Sequence, residues 1–226
     1  MEWDVYRYYP DTLENEWNDL LAESISHVPF LRHEYLKIWW QTLGGGEWRE
    51  DVMLCIVAAR QDGQLVGVAP LLFNPDHEGR AALMLLGSIE ISDYLDLIVK
   101  PETLAEFSAG LLPFLAGSDL PDWQVLDWYN LLDTSPSLKV LQEEAVKLGW
   151  QTQVTHLQHS PYIPLPGDFE TYLAGIDKKQ RHEIRRKMRR AEESGRDVQY
   201  RVVQDAAGFD ADVETFLQLM AYDAQK

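Results

Sequence analysis

Two long apolar runs near the middle of the chain form the clearest pattern in the sequence. Residues 52–61 and 64–73 are rich in β-branched and other apolar side chains, and Asp62-Gly63 lies between them. A two-residue Asp-Gly loop favours the type I′ turn that joins antiparallel strands, so the two runs predict a β-hairpin. Pro70 has no N–H to donate, which indicates a sheet edge or a bulge late in the second run.

A helical pattern precedes this hairpin. After a short predicted strand over residues 4–8, apolar residues recur at helical spacing over residues 13–26 and again over residues 32–43. Gly44-Gly45-Gly46 is expected to end the second of these helices, because glycine adopts the left-handed backbone that commonly closes a helix.

Short apolar runs alternate with helical ones after the hairpin. Strands are predicted over residues 81–87, 94–99, 123–128, 151–157 and 162–165, and helices over residues 101–116 and 137–148. Antiparallel strands followed by two strand–helix–strand crossovers predict a mixed α/β (α+β) fold, with one central sheet flanked by helices.

The segment Pro164-Leu165-Pro166-Gly167 marks a predicted domain boundary. We expect one complete unit over residues 1–166 and the beginning of a second, truncated unit over residues 167–226. The second unit begins with a long helix that is broken near Gly175, followed by a strand over residues 198–203 and a helix over residues 210–224. This strand-then-helix order echoes the start of the chain and indicates an internal duplication.

Charge is distributed very unevenly along the chain, whose net charge is −17. Residues 1–176 hold 9 Lys and Arg against 27 Asp and Glu, whereas residues 177–201 hold 10 against 5. Most of the chain would therefore repel DNA, and a single segment could attract an anion.

The remaining composition indicates a folded protein of a reducing compartment. Hydrophobic residues make up 46% of the chain, and its start lacks the basic and apolar stretches of a secretory signal. The single cysteine, Cys55, lies in an apolar run and cannot form an internal disulfide. We therefore expect a cytoplasmic protein without a transmembrane segment.

Several stretches together resemble a known family. The element order, the Asp-Gly hairpin, Pro29-Phe30, GVAPLLF, LG…DYLDLIV and KKQRHEIRRKMRRAEESG are similar to the tandem-GNAT acyltransferases of bacteria. This CelD-like group is distantly related to the Fem-type peptidoglycan aminoacyltransferases. The resemblance implies a GNAT-like fold and an enzyme that transfers an acyl group to an amine, with acetyl-CoA or another acyl-CoA as co-substrate and no metal.

One family motif is missing from the complete unit. GNAT units bind the CoA pyrophosphate with a glycine-containing loop at a helix N-terminus, and the corresponding residues 92–102 contain no glycine. Two alternatives therefore stay open beside acyl-CoA-dependent transfer. One is a Fem-type aminoacyltransferase that uses aminoacyl-tRNA on a peptidoglycan precursor, and the other is a degenerate, non-catalytic binding module.

The stretch around residue 94 contains the residue types that acyl transfer to an amine requires. Asp93 and Asp96 are candidate bases for the acceptor amine, and Tyr94 is a candidate proton donor to the leaving thiolate. The three residues lie at the mouth of a predicted strand. The alternative interpretation gives these residues no catalytic role and describes them as a turn residue and a carboxylate on an edge strand.

The basic helix of the second unit is the candidate substrate-binding element. Guanidinium groups grip phosphate or carboxylate at two points, so we expect the helix to bind anionic groups of a small-molecule or cell-envelope-precursor acceptor. The predicted binding residues are Lys178, Arg181, His182, Arg185, Arg186 and Arg189. The alternative is a solvated charged face that docks on the acidic first unit, and tRNA is a partner only under the Fem-type alternative.

Overall fold

The computed structural model describes residues 1–49, 51–87, 89–117, 119–196, 199, 201–203 and 206–223. Its contacts divide the chain into two units, Met1–His156 and Leu157–Lys226. The predicted boundary at residue 166 therefore falls inside the second of these units. The assignment of the units as one complete and one partial GNAT-like domain stays a prediction.

The predicted hairpin is confirmed. Strand β3 (Ile56–Gln61) pairs antiparallel with β4 (Gln64–Ala69), and Gln61 lies opposite Gln64 at the turn. Asp62 and Gly63 have φ angles of 50° and 79°. Positive φ at both central residues is the backbone of a type I′ turn, as the Asp-Gly pair predicts.

The strands form two sheets, not the single central sheet predicted from the sequence, although the mixed α/β class is confirmed. One four-stranded sheet has the order β1-β3-β4-β7 and the other the order β2-β5-β6-β8. The remaining strands are β1 (Glu2–Tyr6), β2 (Met53–Leu54), β5 (Leu71–His77), β6 (Arg80–Leu85), β7 (Ile98–Val99) and β8 (Val125–Leu126).

The division into two sheets has its physical cause at Cys55 and Pro70. Only Cys55 separates β2 from β3, and only Pro70 separates β4 from β5, so the two sheets are halves of one long hairpin. Pro70 cannot donate to a ladder, and its carbonyl instead accepts the N–H of Leu86 at 2.7 Å. The predicted interruption is confirmed at this residue, but it is not at an edge, because β5 lies between β2 and β6.

Strands β6 and β7 run along the same side of the long strand β4–β5. Leu85 of β6 lies opposite Leu71, and Ile98 of β7 lies opposite Val68. Between them the chain leaves the sheet over residues 87 and 89–97, which we call the excursion. The strand predicted over residues 94–99 is reduced to β7, because the left-handed φ of 56° at Tyr94 interrupts the extended backbone.

Helix α3 joins β7 to β8, which lies parallel to β6 with Ala82 opposite Val125 and Leu83 opposite Leu126. The other predicted helices of the first unit are also present, with shifted ends. The observed bounds are α1 (Glu14–Ala22), α2 (His33–Gly46), α3 (Leu104–Leu115) and α4 (Pro136–Lys147). Left-handed φ angles at Leu43, Gly44 and Gly45 end the regular part of α2, as the glycine run predicts.

A single core fills the space between the helices and the long hairpin. Its largest fully buried side chains include Trp17 and Phe107, and Cys55 is buried within it. At Gly67 of β4 the Phe107 ring lies so close that an added Cβ would meet Cδ2 and Cε2 of the ring at 2.3 Å. Helix α3 therefore packs directly on the strand backbone at this position.

The strands predicted over residues 151–157 and 162–165 are absent. These residues have no regular secondary structure and are exposed. An alternating pattern forms a strand only where a neighbouring strand supplies the ladder hydrogen bonds, and no described strand pairs with this segment.

The second unit consists of helices α5 (Phe169–Gly175), α6 (Lys178–Glu192) and α7 (Phe209–Asp223) in its described part. The predicted break near Gly175 is confirmed. Positions 198 and 200 of the strand predicted over residues 198–203 lie outside the described residues, and residues 199 and 201–203 form no strand. The apolar residues of α7 that the pattern places inward are exposed, because no described element covers them: Val213, Phe216, Leu217 and Met220.

None of the described helices combines the length and the apolar character that crossing a bilayer would require.

The close approach at Gly67 generates a stability prediction. We expect Gly67→Ala to lower the free energy of unfolding of the first unit by ~1–3 kcal/mol, because the methyl group overlaps the Phe107 ring. Urea denaturation followed by circular dichroism measures the change. In a Phe107→Leu background the same substitution should cost less, and an equal cost in both backgrounds would contradict the contact.

Candidate functional site

A cleft opens where the two parallel strands separate. After the paired positions Leu83 and Leu126, the N–H of Asp127 donates to the Leu83 carbonyl at 3.0 Å, and β6 continues to Leu85 whereas β8 has ended. Ligands of open α/β sheets bind in such crevices at the carboxyl ends of strands. The cavity there has a volume of about 10 Å³, room for roughly one water, and is lined by Trp48, Met84, Leu85, Gly87, Ile89, Leu95, Asp127 and Tyr129.

Gly87 is the first residue of the excursion and lines this cleft. Its φ is 155°, and an added Cβ would lie 2.5 Å from Cδ1 of Leu95. A side chain at position 87 would therefore displace Leu95, which lines the same cleft. The close approach of Gly87 and Leu95 sets the shape of the apolar wall.

Three acid–base side chains meet beside the cleft. The Nε2 of His77, from the end of β5, lies 3.4 Å from Oδ2 of Asp127 and 3.2 Å from the hydroxyl of Tyr129. The His77 side chain is 12% exposed and that of Asp127 is 29% exposed. One imidazole nitrogen therefore faces both a carboxylate and a phenol, so a proton can pass among the three groups.

The environment keeps the Tyr129 hydroxyl protonated. Burial is the main cause that raises the pKa of Tyr129 above its ordinary value of 10.0, and the negative charges of Asp127 and Glu78 add to the effect. The nearby Arg80 opposes them. At neutral pH the phenol is therefore protonated and can donate a hydrogen bond.

Two indole N–H groups near this region are buried without a hydrogen-bond partner among the described residues, those of Trp48 and Trp128. An unpaired buried donor costs ~1–3 kcal/mol, so each such group calls for an explanation. Trp48 lines the cleft, and its ring lies 6.1 Å from the His77 ring, which in turn lies 5.8 Å from the Tyr129 ring.

Asp96 ties the excursion to the start of α4. Its Oδ2 accepts the hydroxyl of Ser135 at 2.5 Å, and its Oδ1 accepts the hydroxyl of Ser137 at 2.6 Å and the N–H of Leu97 at 2.8 Å. Ser135 is the N-cap of α4 and also accepts the N–H of Ser137. Both carboxylate oxygens are thus occupied, at a helix end that favours negative charge.

Other hydrogen bonds hold the rest of the excursion. Tyr35 of α2 donates its hydroxyl to the Ile91 carbonyl at 2.7 Å, and the Asn130 amide donates to the Ser92 carbonyl at 2.7 Å. The Glu47 carboxylate accepts the N–H of Ile89 at 3.1 Å. The excursion is therefore positioned from several sides, and with it the Leu95 wall of the cleft.

The residues predicted as catalytic lie on the excursion but do not line the cleft. Asp93 is exposed, Tyr94 is half-buried and Asp96 is 3% exposed. Of residues 93–96, only Leu95 lines the cleft. The hydrogen bonds of Asp96 occupy both of its carboxylate oxygens, and catalytic roles for Asp93, Tyr94 and Asp96 stay predictions.

Sequence reasoning missed the cluster of His77, Asp127 and Tyr129. Asp127 and Tyr129 follow the strand that ends the first crossover, and that position was a signal for a site at a carboxyl strand end. His77 offered no such signal. It reaches the other two only through strand pairing, because β6 lies between β5 and β8 and pairs with both.

The basic residues of α6 divide into two groups. Arg181 donates to the Leu173 and Ala174 carbonyls, at 3.3 and 3.1 Å, and so caps α5. Arg185 pairs with Glu170 at 2.5 Å, and Arg186 pairs with Glu183 at 2.6 Å.

The other predicted binding residues on α6, Lys178, His182 and Arg189, are exposed and form no ion pair among the described residues. The helix thus presents cations to solvent along part of its length, while Arg181 and Arg185 link α6 to α5 and Arg186 pairs within α6. Binding of an anion by α6 stays a prediction.

Comparison of the chain with models of protein families, with curated proteins and with solved structures finds no match. The resemblance to tandem-GNAT acyltransferases therefore stays a prediction that depends on the residues of this chain. Within the described ranges, no three His, Cys, Asp or Glu side chains are grouped so that they could hold a metal ion.

The burial of Asp96 generates a pH prediction. Burial raises the pKa of Asp96 above its ordinary value of 3.8, against the lowering effect of its hydrogen bonds. When folding raises the pKa of a carboxyl, its protonated form stabilises the fold. This stabilisation is complete below pH 3.8 and is lost as the pH rises through the raised pKa.

We therefore expect the unfolding free energy of the wild type, relative to Asp96→Asn, to increase as the pH falls from neutrality towards 4. Chemical denaturation across this pH range measures the difference. Asp93→Asn, an exposed carboxylate on the same excursion, should leave the pH profile unchanged. Parallel profiles for the wild type and Asp96→Asn would show that Asp96 does not titrate differently in the folded state.

Proposed function

We propose that the chain is a GNAT-type N-acyltransferase that transfers an acyl group from an acyl-CoA to an amine. The observation that supports this most is the cleft between the separating parallel strands β6 and β8, with His77, Asp127 and Tyr129 beside it. Acyl transfer to an amine requires groups that move one proton beside the reacting carbonyl, and this place offers them.

The order of the elements also supports the proposal. The chain passes from β1 through α1 and α2 to the long hairpin, then along β6 and β7, through α3 to the parallel strand β8, and on to α4. This is the order on which the resemblance to GNAT units depends. The two sheets do not oppose it, because the hairpin runs continuously through both.

The groups beside the cleft can accept and return the proton that the reaction transfers. The amine nitrogen attacks the thioester carbonyl, a C–N bond forms, the C–S bond breaks and the thiolate leaves. In this proposal Asp127 accepts the proton from the amine, and the Tyr129 hydroxyl protonates the thiolate. His77 Nε2, which faces both groups, then returns the proton from Asp127 to Tyr129.

In this proposal the catalytic residues lie at the ends of the strands and not on the excursion. Asp127 and Tyr129 take the roles of base and proton donor that the sequence suggested for Asp93 or Asp96 and for Tyr94. Helix α6 is proposed to bind anionic groups of the acceptor through its exposed cations, among them Lys178 and Arg189.

Amine-dependent release of thiol from acyl-CoA tests the proposal. We expect the whole chain to release free thiol from acetyl-CoA or a longer acyl-CoA when an amine is added. Asp127→Asn and His77→Gln should each lower the rate by ~10²-fold or more, as is typical for loss of an acid–base group. Asp122→Asn changes an exposed carboxylate shortly before β8 in the same way and should react at the wild-type rate.

Calorimetric titration with acetyl-CoA accompanies this assay. Absence of acyl-CoA binding by the folded chain would contradict the proposal. So would undiminished thiol release by both Asp127→Asn and His77→Gln, because the reaction would then take place elsewhere. Thermal unfolding of each variant separates loss of activity from loss of the fold.

A further inference from the structure

Helix α7 presents an apolar stripe that no described element covers. Val213, Phe216, Leu217 and Met220 lie at positions i, i+3, i+4 and i+7, and each residue is between 37% and 60% exposed. A lone 15-residue helix is only marginally stable in water, because helices in proteins gain most of their stability by packing an apolar face. The stripe therefore needs a partner, and its spacing is that of a helix that docks in an apolar groove.

The same unit contains a groove that is open to solvent and has a volume of about 500 Å³. It lies along α5 and the start of α6, and we call it the α5–α6 groove. Its lining comprises three half-buried apolar side chains, Tyr172, Ile176 and Ile184, and polar residues at the start of α6. None of the described residues of α7 lines it, so in one copy of the chain the stripe and the groove are both uncovered.

We propose that α7 docks in the α5–α6 groove of a second copy of this chain. When each copy docks its α7 in the groove of the other, both stripes and both grooves are covered. Such a reciprocal exchange closes the assembly as a two-fold dimer. The inference concerns a surface that the proposed acyl transfer does not use, and it does not depend on that function.

The charges of the two helices favour this pairing. Asp210, Asp212 and Glu214 make α7 acidic, and its sequence contains no Lys or Arg. Helix α6 contains eight Lys and Arg against two Glu. Two α7 helices packed on each other would bring carboxylates of like charge together, which is unfavourable, whereas α6 presents the opposite charge. The complement of the acidic apolar helix is therefore α6, not another α7.

The charges within the groove agree with this choice. Lys179 lines it, is exposed and has no ion-pair partner in the part of the chain that the structure describes. The carboxylate of Glu183 is neutralised by Arg186 at 2.6 Å, and Oδ1 of Asp177 accepts the N–H of Lys179 at 2.8 Å and that of Gln180 at 3.3 Å. Lys179 is thus the cation that the groove offers to a carboxylate of the docked helix.

Docking leaves the proposed acceptor-binding cations of α6 accessible. At ~100° per residue, Lys178 and Arg189 lie on a different side of α6 from Ile184. These two exposed cations are the ones proposed to bind anionic groups of the acceptor, whereas Ile184 belongs to the groove. The dimer contact and the proposed acceptor contact therefore use separate sides of the helix.

Sedimentation velocity of the whole chain over a range of concentrations tests the inference. We expect a reversible equilibrium between monomer and dimer. Phe216→Ser removes a large side chain from the middle of the stripe and should weaken the dimer at least ~10-fold. Leu219→Ser is the matched control, because it changes an exposed apolar residue of α7 outside the stripe and should dimerise like the wild type.

Variants of the groove show where α7 docks. Ile184→Glu places a carboxylate in the apolar part of the groove, against the acidic α7, and should weaken the dimer at least ~10-fold. Lys179→Glu should weaken it several-fold, and Lys178→Glu, the same change on another side of α6, should not. A mixture of Phe216→Ser and Ile184→Glu should associate more strongly than either variant alone, because one copy supplies an intact groove and the other an intact α7.

Three results would overturn the inference. One is a monomer at every concentration, which includes closure of α7 on the groove of its own copy. The second is wild-type dimerisation of both Ile184→Glu and Lys179→Glu, because α7 would then pack elsewhere. The third is a mixture of Phe216→Ser and Ile184→Glu that associates no better than its components. Circular dichroism of each variant distinguishes loss of the contact from loss of the helices.

Discussion

The structure of the first unit depends on one interruption of a long hairpin, at Pro70. Proline cannot donate to a β-ladder, so the strand from Gln64 to His77 changes partners at this residue. The N–H of Cys55 donates to the Leu71 carbonyl at 2.9 Å, and the N–H of Leu86 donates to the Pro70 carbonyl at 2.7 Å. These two bonds keep the halves together while each half joins a different sheet.

The cleft follows from this interruption. Because β6 and β7 share one partner strand, the residues between them must leave the sheet, and Gly87 and Leu95 close against each other where they leave and return. Asp96 then fixes the excursion to the start of α4 through two serine hydroxyls. The apolar wall of the cleft is thus held by a buried polar contact, and the acid–base residues come from the ends of β5 and β8.

Local signals in the sequence predicted the parts of the fold that local chemistry decides. Asp62-Gly63 predicted the turn, and Pro70 predicted the interruption. The cluster of His77, Asp127 and Tyr129 was not predictable in this way, because His77 and Asp127 are far apart in the chain and meet only through strand pairing. The alternating pattern of residues 151–157 predicted a strand that the structure does not contain. A strand needs a partner strand, and its own sequence does not identify that partner.

The central claim is that the cleft at the ends of β6 and β8 binds the reacting part of an acyl-CoA. Backbone hydrogen exchange, measured by mass spectrometry with and without acetyl-CoA, tests this claim most directly. The account predicts slower exchange at residues 84–87 and 127–129 when acetyl-CoA is bound, because these amides border the cleft. Unchanged exchange at both segments, with protection confined to other parts of the chain, would contradict it.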